Sequence, residues 1–225
     1  MNLKTPVIML NVKSYVESMG QNDLGLAKNC QEVAKETGAN IVYCPQQVDL
    51  AWITKEIDIP CFAQHSDAFN PGSKTGWTVL EAVKAAGAVG TLVNHSEHRM
   101  GIADIEAIVQ KSKGLDLATV VCTNNTAVST AVAEFGPTSI AIEPPELIGS
   151  GIPVSKADPE IVSGSVAAVR DVDKDIVVLC GAGISTGEDV KAAIELGAKG
   201  VLLASGVVKA EDQKAVLLNL ASGIL

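Results

Sequence analysis

Eight short apolar runs, rich in β-branched residues, recur along the 225 residues, and this repetition limits the available folds more than any other feature. They are Pro6–Leu10, Ala39–Cys44, Ile59–Ala63, Ala88–Val93, Leu117–Cys122, Ser139–Ile142, Asp175–Cys180 and Gly200–Leu203. None alternates apolar with polar residues. Continuous runs of this kind suit strands covered on both faces, as in a parallel sheet flanked by helices. Helical patterns fill the intervals. Leu26, Cys30, Val33 and Ala34 share one face, as do Val79, Ala82, Val83 and Ala86. Ile102, Ile105 and Ile108 form a third stripe, and Val190, Ala193, Ile194 and Gly197 a fourth. Asn124 or Asn125, Asp158 before Pro159, and Thr186-Gly187-Glu188-Asp189 read as helix starts. Gly38, Gly87, Gly114, Gly136 and Gly197 stand where helices end before strands.

Eight strand–helix units without a linker predict a single-domain α/β chain over residues 1–225, closed as a (β/α)8 barrel. At about 28 residues per unit the barrel is lean, so some helices are expected to be short or missing. The competing open, doubly wound sheet usually has fewer strands and a glycine-rich first turn. The first turn here is Asn11-Val12-Lys13-Ser14.

Composition removes several classes of function. Seventeen Lys and Arg against 26 Asp and Glu give a formal net charge of −9, which is no footprint for nucleic acid. Aromatic residues make up 3%, too few for base-stacking platforms. No apolar run approaches the ~20 residues that span a bilayer, and the N-terminus has no secretory pattern. Cys30, Cys44, Cys61, Cys122 and Cys180 are scattered, with no C-x-x-C pair. They read as buried thiols in a reducing cytoplasm rather than as a zinc site or a disulfide framework. The alternative is one nucleophilic cysteine, for which Cys122 and Cys180 are the candidates.

In a barrel the chemistry sits just after the strands. The first strand is followed by Asn11 and Lys13. The fourth is followed by Asn94-His95-Ser96-Glu97-His98-Arg99, and the sixth by Glu143 and then Pro144-Pro145. The seventh and eighth end in the small-residue turns Gly181-Ala182-Gly183-Ile184-Ser185 and Ala204-Ser205-Gly206. Such turns expose backbone N–H groups and suit phosphate. Each piece also has an ordinary reading. A lone lysine is usually a solvated surface group, a lone histidine is usually structural, and the glycines could form a plain tight turn. Six polar residues directly after Val89–Val93 are odd for core, however. A helix cannot begin at Glu143 through two prolines, which favours a base at the foot of a loop.

Asn11-x-Lys13, His95-Ser96-Glu97-x-Arg99 and Glu143-Pro144 followed by Ile148-Gly149-Ser150-Gly151 together resemble the triosephosphate isomerase family, a TIM barrel. The loop sequence and the short chain resemble the archaeal branch. Any one motif carries little; three in this strand order carry much more. The resemblance implies an isomerase of glycolysis and gluconeogenesis that interconverts glyceraldehyde 3-phosphate and dihydroxyacetone phosphate through an enediol(ate). It implies that Glu143 is the base, that His95 polarises the carbonyl, and that Lys13 supplies positive charge. Asn11 positions the substrate and Glu97 braces Lys13. Ile148, Gly149, Gly183, Ala204 and Ser205 would contact the substrate and its phosphate. No metal, nicotinamide or flavin is implied.

The chain departs from the family pattern in three places. Glu146 stands where much of the family has tryptophan, Gly183 where a serine is usual, and Ala204-Ser205 where two glycines are expected. The segment from Gln64-His65-Ser66-Asp67 to Lys74-Thr75-Gly76 resembles the family's interdigitating loop, which implies a homodimer or homotetramer. Two rivals stand beside this reading: another phosphate-binding barrel isomerase or synthase, and a non-catalytic phospho-ligand barrel.

Overall fold

All eight apolar runs form strands in the structure, a computed structural model that describes residues 3–144 and 152–225. They are β1 (Val7–Asn11), β2 (Asn40–Cys44), β3 (Phe62–Ala63), β4 (Gly90–Val93), β5 (Ala118–Thr123), β6 (Ser139–Ile142), β7 (Val177–Cys180) and β8 (Gly200–Leu203). All pairings are parallel, in the order β2-β1-β8-β7-β6-β5-β4-β3. A parallel bridge between Tyr43 and Cys61 joins β2 to the start of β3 and closes the ring. The fold is therefore the expected (β/α)8 barrel.

Helices α1 (Gln21–Thr37), α2 (Leu50–Glu56), α3 (Leu80–Ala85), α4 (Ile102–Gly114) and α5 (Thr126–Ala133) follow the first five strands. Beyond β6 come α6 (Val154–Ala157), α7 (Pro159–Val172), α8 (Gly187–Glu195), α9 (Ser205–Val208) and α10 (Gln213–Ser222). The expected economy falls on α2 and α3, of seven and six residues. The polar starts work as caps: Asn125 accepts from the Val128 N–H, Asp158 from that of Ile161, and Thr186 with Asp189 forms a reciprocal capping box.

Two local expectations need correction. Gly114 is the last residue of α4, and the left-handed position falls two residues later at Asp116, with φ 54°. Aspartate tolerates that conformation better than most side chains. Ile102 is exposed because it begins α4, above the buried stripe of Ile105, Ile108, Val109 and Ser112.

Strand residues divide by parity, as a period of two demands. Val7, Met9, Val42, Cys44, Phe62, Leu92, Val120, Cys122, Ala141, Leu179 and Leu202 belong to one cluster, the barrel interior. Their neighbours Ile8, Leu10, Ile41 and Tyr43 pack outward with α1 residues Leu26, Cys30 and Val33. Both faces are buried, which is why the sequence shows unbroken apolar runs. Gly90 makes room inside: a Cβ there would stand 2.4 Å from the Phe62 ring.

One charged side chain is sealed under α1. Asp23 has no exposed surface; it accepts from the Tyr43 hydroxyl and from the Gln46 N–H. Burial raises its pKa from 3.8 to about 6, against the lowering effect of those two bonds. The protonated form is therefore favoured by folding. Stability from this group is complete below the unfolded value of 3.8 and is lost as pH rises through about 6. The gap corresponds to at most about 3 kcal/mol. In Asp23→Asn the amide can still accept from Gln46 and donate to Tyr43 without a charge. Chemical unfolding from pH 4 to pH 7 should show the wild type losing stability relative to Asp23→Asn; parallel curves would contradict this.

Candidate active site

At the C-terminal mouth of the barrel, a cavity of about 200 Å³ gathers side chains and turns from five strands. Asn11, Lys13, His95, Glu97, Glu143, Gly183, Ala204 and Ser205 all line it. Eight of the ten residues singled out from the sequence thus meet in one place. Ile148 and Gly149 lie outside the described residues.

Lys13 follows β1 with a left-handed backbone, φ 52°. Such a conformation persists in a non-glycine residue only where neighbours impose it. The Asn11 side chain accepts from the Lys13 N–H at 3.0 Å, and the Gln64 amide donates to the Lys13 carbonyl at 3.1 Å. Gln64 also donates to the Cys44 carbonyl, tying β1, β2 and β3 together at the mouth. Lys13 Nζ donates to Glu97 Oε1 at 2.7 Å. Gln64 is a support missed from the sequence. It lies two residues beyond the interior Phe62, a relation that only the structure reveals.

Asn94 repeats this arrangement at the end of β4, with φ 60°. Its side-chain amide donates to the Cys122 carbonyl and its oxygen accepts from the Met100 N–H, both at 3.0 Å. Arg99 donates to its backbone carbonyl. The reversed backbone turns the following residue, His95, into the cavity, where it is buried. His95 Nδ1 accepts from the Glu97 N–H at 3.2 Å. In the neutral ring this bond assigns the proton to Nε2. That atom stands 3.6 Å from Glu143 Oε2.

Glu143 directly follows β6 and is 5% exposed. Its N–H donates to the Thr123 carbonyl, which extends the strand ladder by one residue. Oε2 is buried with no hydrogen-bond partner among the described residues. A buried carboxylate oxygen without a donor is costly unless a ligand or a proton uses it. Gly181 provides the space beside it: a Cβ there would come within 3.0 Å of Glu143 Oε1 and 2.8 Å of the Leu202 carbonyl.

The cysteine alternative fails here. Burial, and next the Glu143 carboxylate, push the Cys122 thiol well above its usual range; the same two causes push Cys180 up to about 12. Neither supplies a thiolate at neutral pH. No group of three or more His, Cys, Asp or Glu among the described residues is arranged to hold a metal ion.

A carboxylate, an imidazole and an ammonium group facing small-residue turns define a barrel enzyme of the acid–base type acting on a phosphorylated ligand. The family model described as triosephosphate isomerase matches residues 6–222. The triosephosphate isomerase of Methanocaldococcus jannaschii is 56% identical over 214 residues, covering 95% of this chain and 98% of its own. That of Methanobacterium bryantii is 54% identical over 221 residues, 98% of both chains. That of Methanothermobacter thermautotrophicus is 52% identical over 220 residues, 98% of this chain and 96% of its own. The chain belongs to the triosephosphate isomerase family.

The Asn94 geometry gives a direct test. Asn94→Ala places an alanine in the left-handed region and removes both side-chain bonds, so about 2 kcal/mol or more of stability should be lost. Asn94→Gly keeps the backbone conformation and loses only the bonds. Thermal unfolding and kcat/KM should both fall in the order wild type, Asn94→Gly, Asn94→Ala. Equal values for all three would remove Asn94 from the support of His95.

Proposed function

We propose that this single barrel interconverts dihydroxyacetone phosphate and glyceraldehyde 3-phosphate, with Glu143 as the base and His95 as the electrophile. The observation that carries the reading is the buried Glu143 Oε2, without a hydrogen-bond partner among the described residues and 3.6 Å from His95 Nε2, in a cavity shared with Lys13. Glu143 takes a proton from C1 of the ketose. The His95 Nε2–H donates to the carbonyl oxygen as charge develops there, and Lys13 adds a positive field. His95 then moves a proton between the two oxygens of the enediol(ate). Glu143 returns its proton to C2, which yields the aldose. One proton moves on carbon and one on oxygen, so the atoms and electrons balance within the substrate. A glutamate base working with a neutral histidine is the established pattern of this enzyme class, and the roles come to this chain through its matching residues.

The phosphate is read onto the N–H groups of Gly183, Ala204 and Ser205. Ser205 begins α9, where the first N–H groups have no helical acceptor. Gly149 and Ile148 would add a contact and a cover from the other side, as the family pattern implies. In this reading the enzyme serves glycolysis and gluconeogenesis in the cytoplasm. Five free, buried cysteines accord with a reducing compartment. No helix among the described residues is long and apolar enough to cross a membrane.

The reading includes self-association. A second cavity of about 770 Å³ opens beside Lys13, lined by Tyr15, Gln64, His65, Thr75, Gly76 and Trp77 among others. The loop after β3 is built rather than loose. Asp67 and Thr78 pair at its neck, Phe69 meets Trp77 edge-on at 4.6 Å, and Lys74 Nζ lies 4.3 Å from the Phe69 ring centre. Val16, Val48 and Trp77 nevertheless expose more than half their surface. A second copy's Lys74-Thr75-Gly76 tip entering that cavity would cover them and brace the Lys13 region.

A coupled isomerase assay on the purified chain, with a chelator present, tests the whole reading; turnover is expected without an added cofactor. Glu143→Gln should lower kcat about 10³-fold while ligand affinity survives, and Lys13→Met should lower kcat/KM about 10²-fold or more. Normal turnover in Glu143→Gln would leave only a binding barrel. Charged replacements at Thr75 and Gly76 should shift light scattering towards the monomer and lower activity. A fully active wild-type monomer would remove the assembly.

A further inference from the structure

Asp189 organises the turn after β7, although it lies beyond that turn, in the first turn of α8. It is 2% exposed. Its Oδ2 accepts from the Thr186 N–H at 3.0 Å, the Ser185 N–H at 3.2 Å and the Ser185 hydroxyl at 3.4 Å. Its Oδ1 is buried and makes no directed hydrogen bond among the described residues. That oxygen faces Lys156 Nζ at 2.7 Å, an ion pair. Burial works against the Asp189 charge. Lys156, the Thr186 hydroxyl and the two amides outweigh it and hold the carboxyl below the usual range.

Lys156 belongs to a different part of the chain. It lies in α6, on the way from Glu143 to α7. The segment leading into α6 also presses on the same turn. A Cβ at Gly183 would stand 2.0 Å from the Ile152 carbonyl oxygen and 2.8 Å from Pro153 Cα. Gly183 itself has φ 79°, a conformation that suits glycine. The turn is thus gripped from two directions: by Asp189 from α8, and by the Ile152–Pro153 backbone from the side of the base. Lys156 links the two grips.

The mechanism has no use yet for this pair, which lies outside the cavity lining. We propose that Lys156 and Asp189 are positioning residues for the substrate phosphate: together they fix the Gly183–Ser185 turn against the chain that leaves Glu143. The inference deepens the isomerase reading and rests on it. Asp189 occupies the Ser185 and Thr186 N–H groups, which leaves the earlier N–H groups of the turn for the phosphate; the contact is read onto that of Gly183, whose direction the turn must set. Loss of Lys156 leaves Oδ1 with no charge to face, in a site where burial already opposes the ion. Its hold on the two amides then weakens, and the Gly183 N–H loses its aim.

The test is Lys156→Met, which keeps the length of the exposed side chain and removes its charge. Inorganic phosphate, as a competitive inhibitor, should bind about tenfold more weakly, and kcat/KM for glyceraldehyde 3-phosphate should fall by a similar factor, the scale of one lost charge-assisted contact. Lys156→Arg should restore both to within about twofold, since an ion pair rather than a particular hydrogen bond is needed. Asp189→Asn in the Lys156→Met background should add little, because both act through one contact. If Asp189→Asn does not fold, for want of its capping box, the two Lys156 variants decide the matter alone. A lowered melting temperature with wild-type phosphate inhibition and kcat/KM in Lys156→Met overturns the positioning role while the isomerase reading stands. A wild type with neither turnover nor phosphate inhibition overturns that reading, and this inference with it.

Discussion

Burial of every strand on both faces is the constraint from which the rest of this structure follows. Each strand must send alternate side chains to the barrel axis and to the helices, with apolar groups in both sets. The active site continues the inward set by one step. Asn11 follows Met9, Gln64 follows Phe62, Asn94 follows Leu92, and Glu143 follows Ala141, each two residues beyond an interior neighbour. Gly181 and Ala204 stand in the same relation to Leu179 and Leu202. A slip of one residue in β6 would turn Ile142 inward in place of Glu143. Core packing and the placement of Glu143 are one requirement, enforced by the cost of exposing the whole apolar set.

That coupling explains what could be seen in the sequence. Eight apolar runs are visible without any long-range information, and so are the caps at Asn125, Asp158 and Thr186. The polar stretch after β4 stands out because six such residues cannot belong to a core. Parity is invisible where both faces are apolar, so the sequence could not say which strand residues face the axis. Supports that act across the chain were hidden for another reason. Gln64 holds a carbonyl 51 residues away, and Tyr43 bonds to Asp23 across 20. β3 is two residues long, and Ile59 to Cys61 only approach it, because the ring closes there through a single bridge. Ile102 looked buried because periodicity says nothing about where a helix begins relative to the core.

The site also concentrates backbone strain. Lys13 and Asn94 are two of only three non-glycine residues with positive φ among the described residues, and both stand directly at the mouth. Positions of this kind cost on the order of 1–3 kcal/mol and need neighbours that over-determine them. Here those neighbours are side-chain amides: Asn11 and Gln64 at Lys13, and the Asn94 amide itself, held between β5 and Met100. An amide can both donate and accept without carrying charge. It can therefore fix a backbone beside an anionic ligand without repelling it, which a carboxylate in the same place would do.

The same economy of charge resolves an apparent conflict between the chain and its substrate. A protein of net charge −9 should repel a phosphodianion at long range. At physiological ionic strength that repulsion is screened beyond about 8 Å, so the last few ångströms decide. Within them the structure offers one ammonium group, Lys13, which is mostly buried and already aligned by Glu97. It also offers backbone N–H groups in the turns after β7 and β8, whose partial charges add attraction without a counterion. Glu143 is the exception, an acidic group lining the same cavity. Its position is tolerable because phosphate and reacting carbons lie at opposite ends of a triose phosphate. In the proposed reaction Glu143 stands at the end where a proton is removed, and the turns stand at the end where the dianion sits.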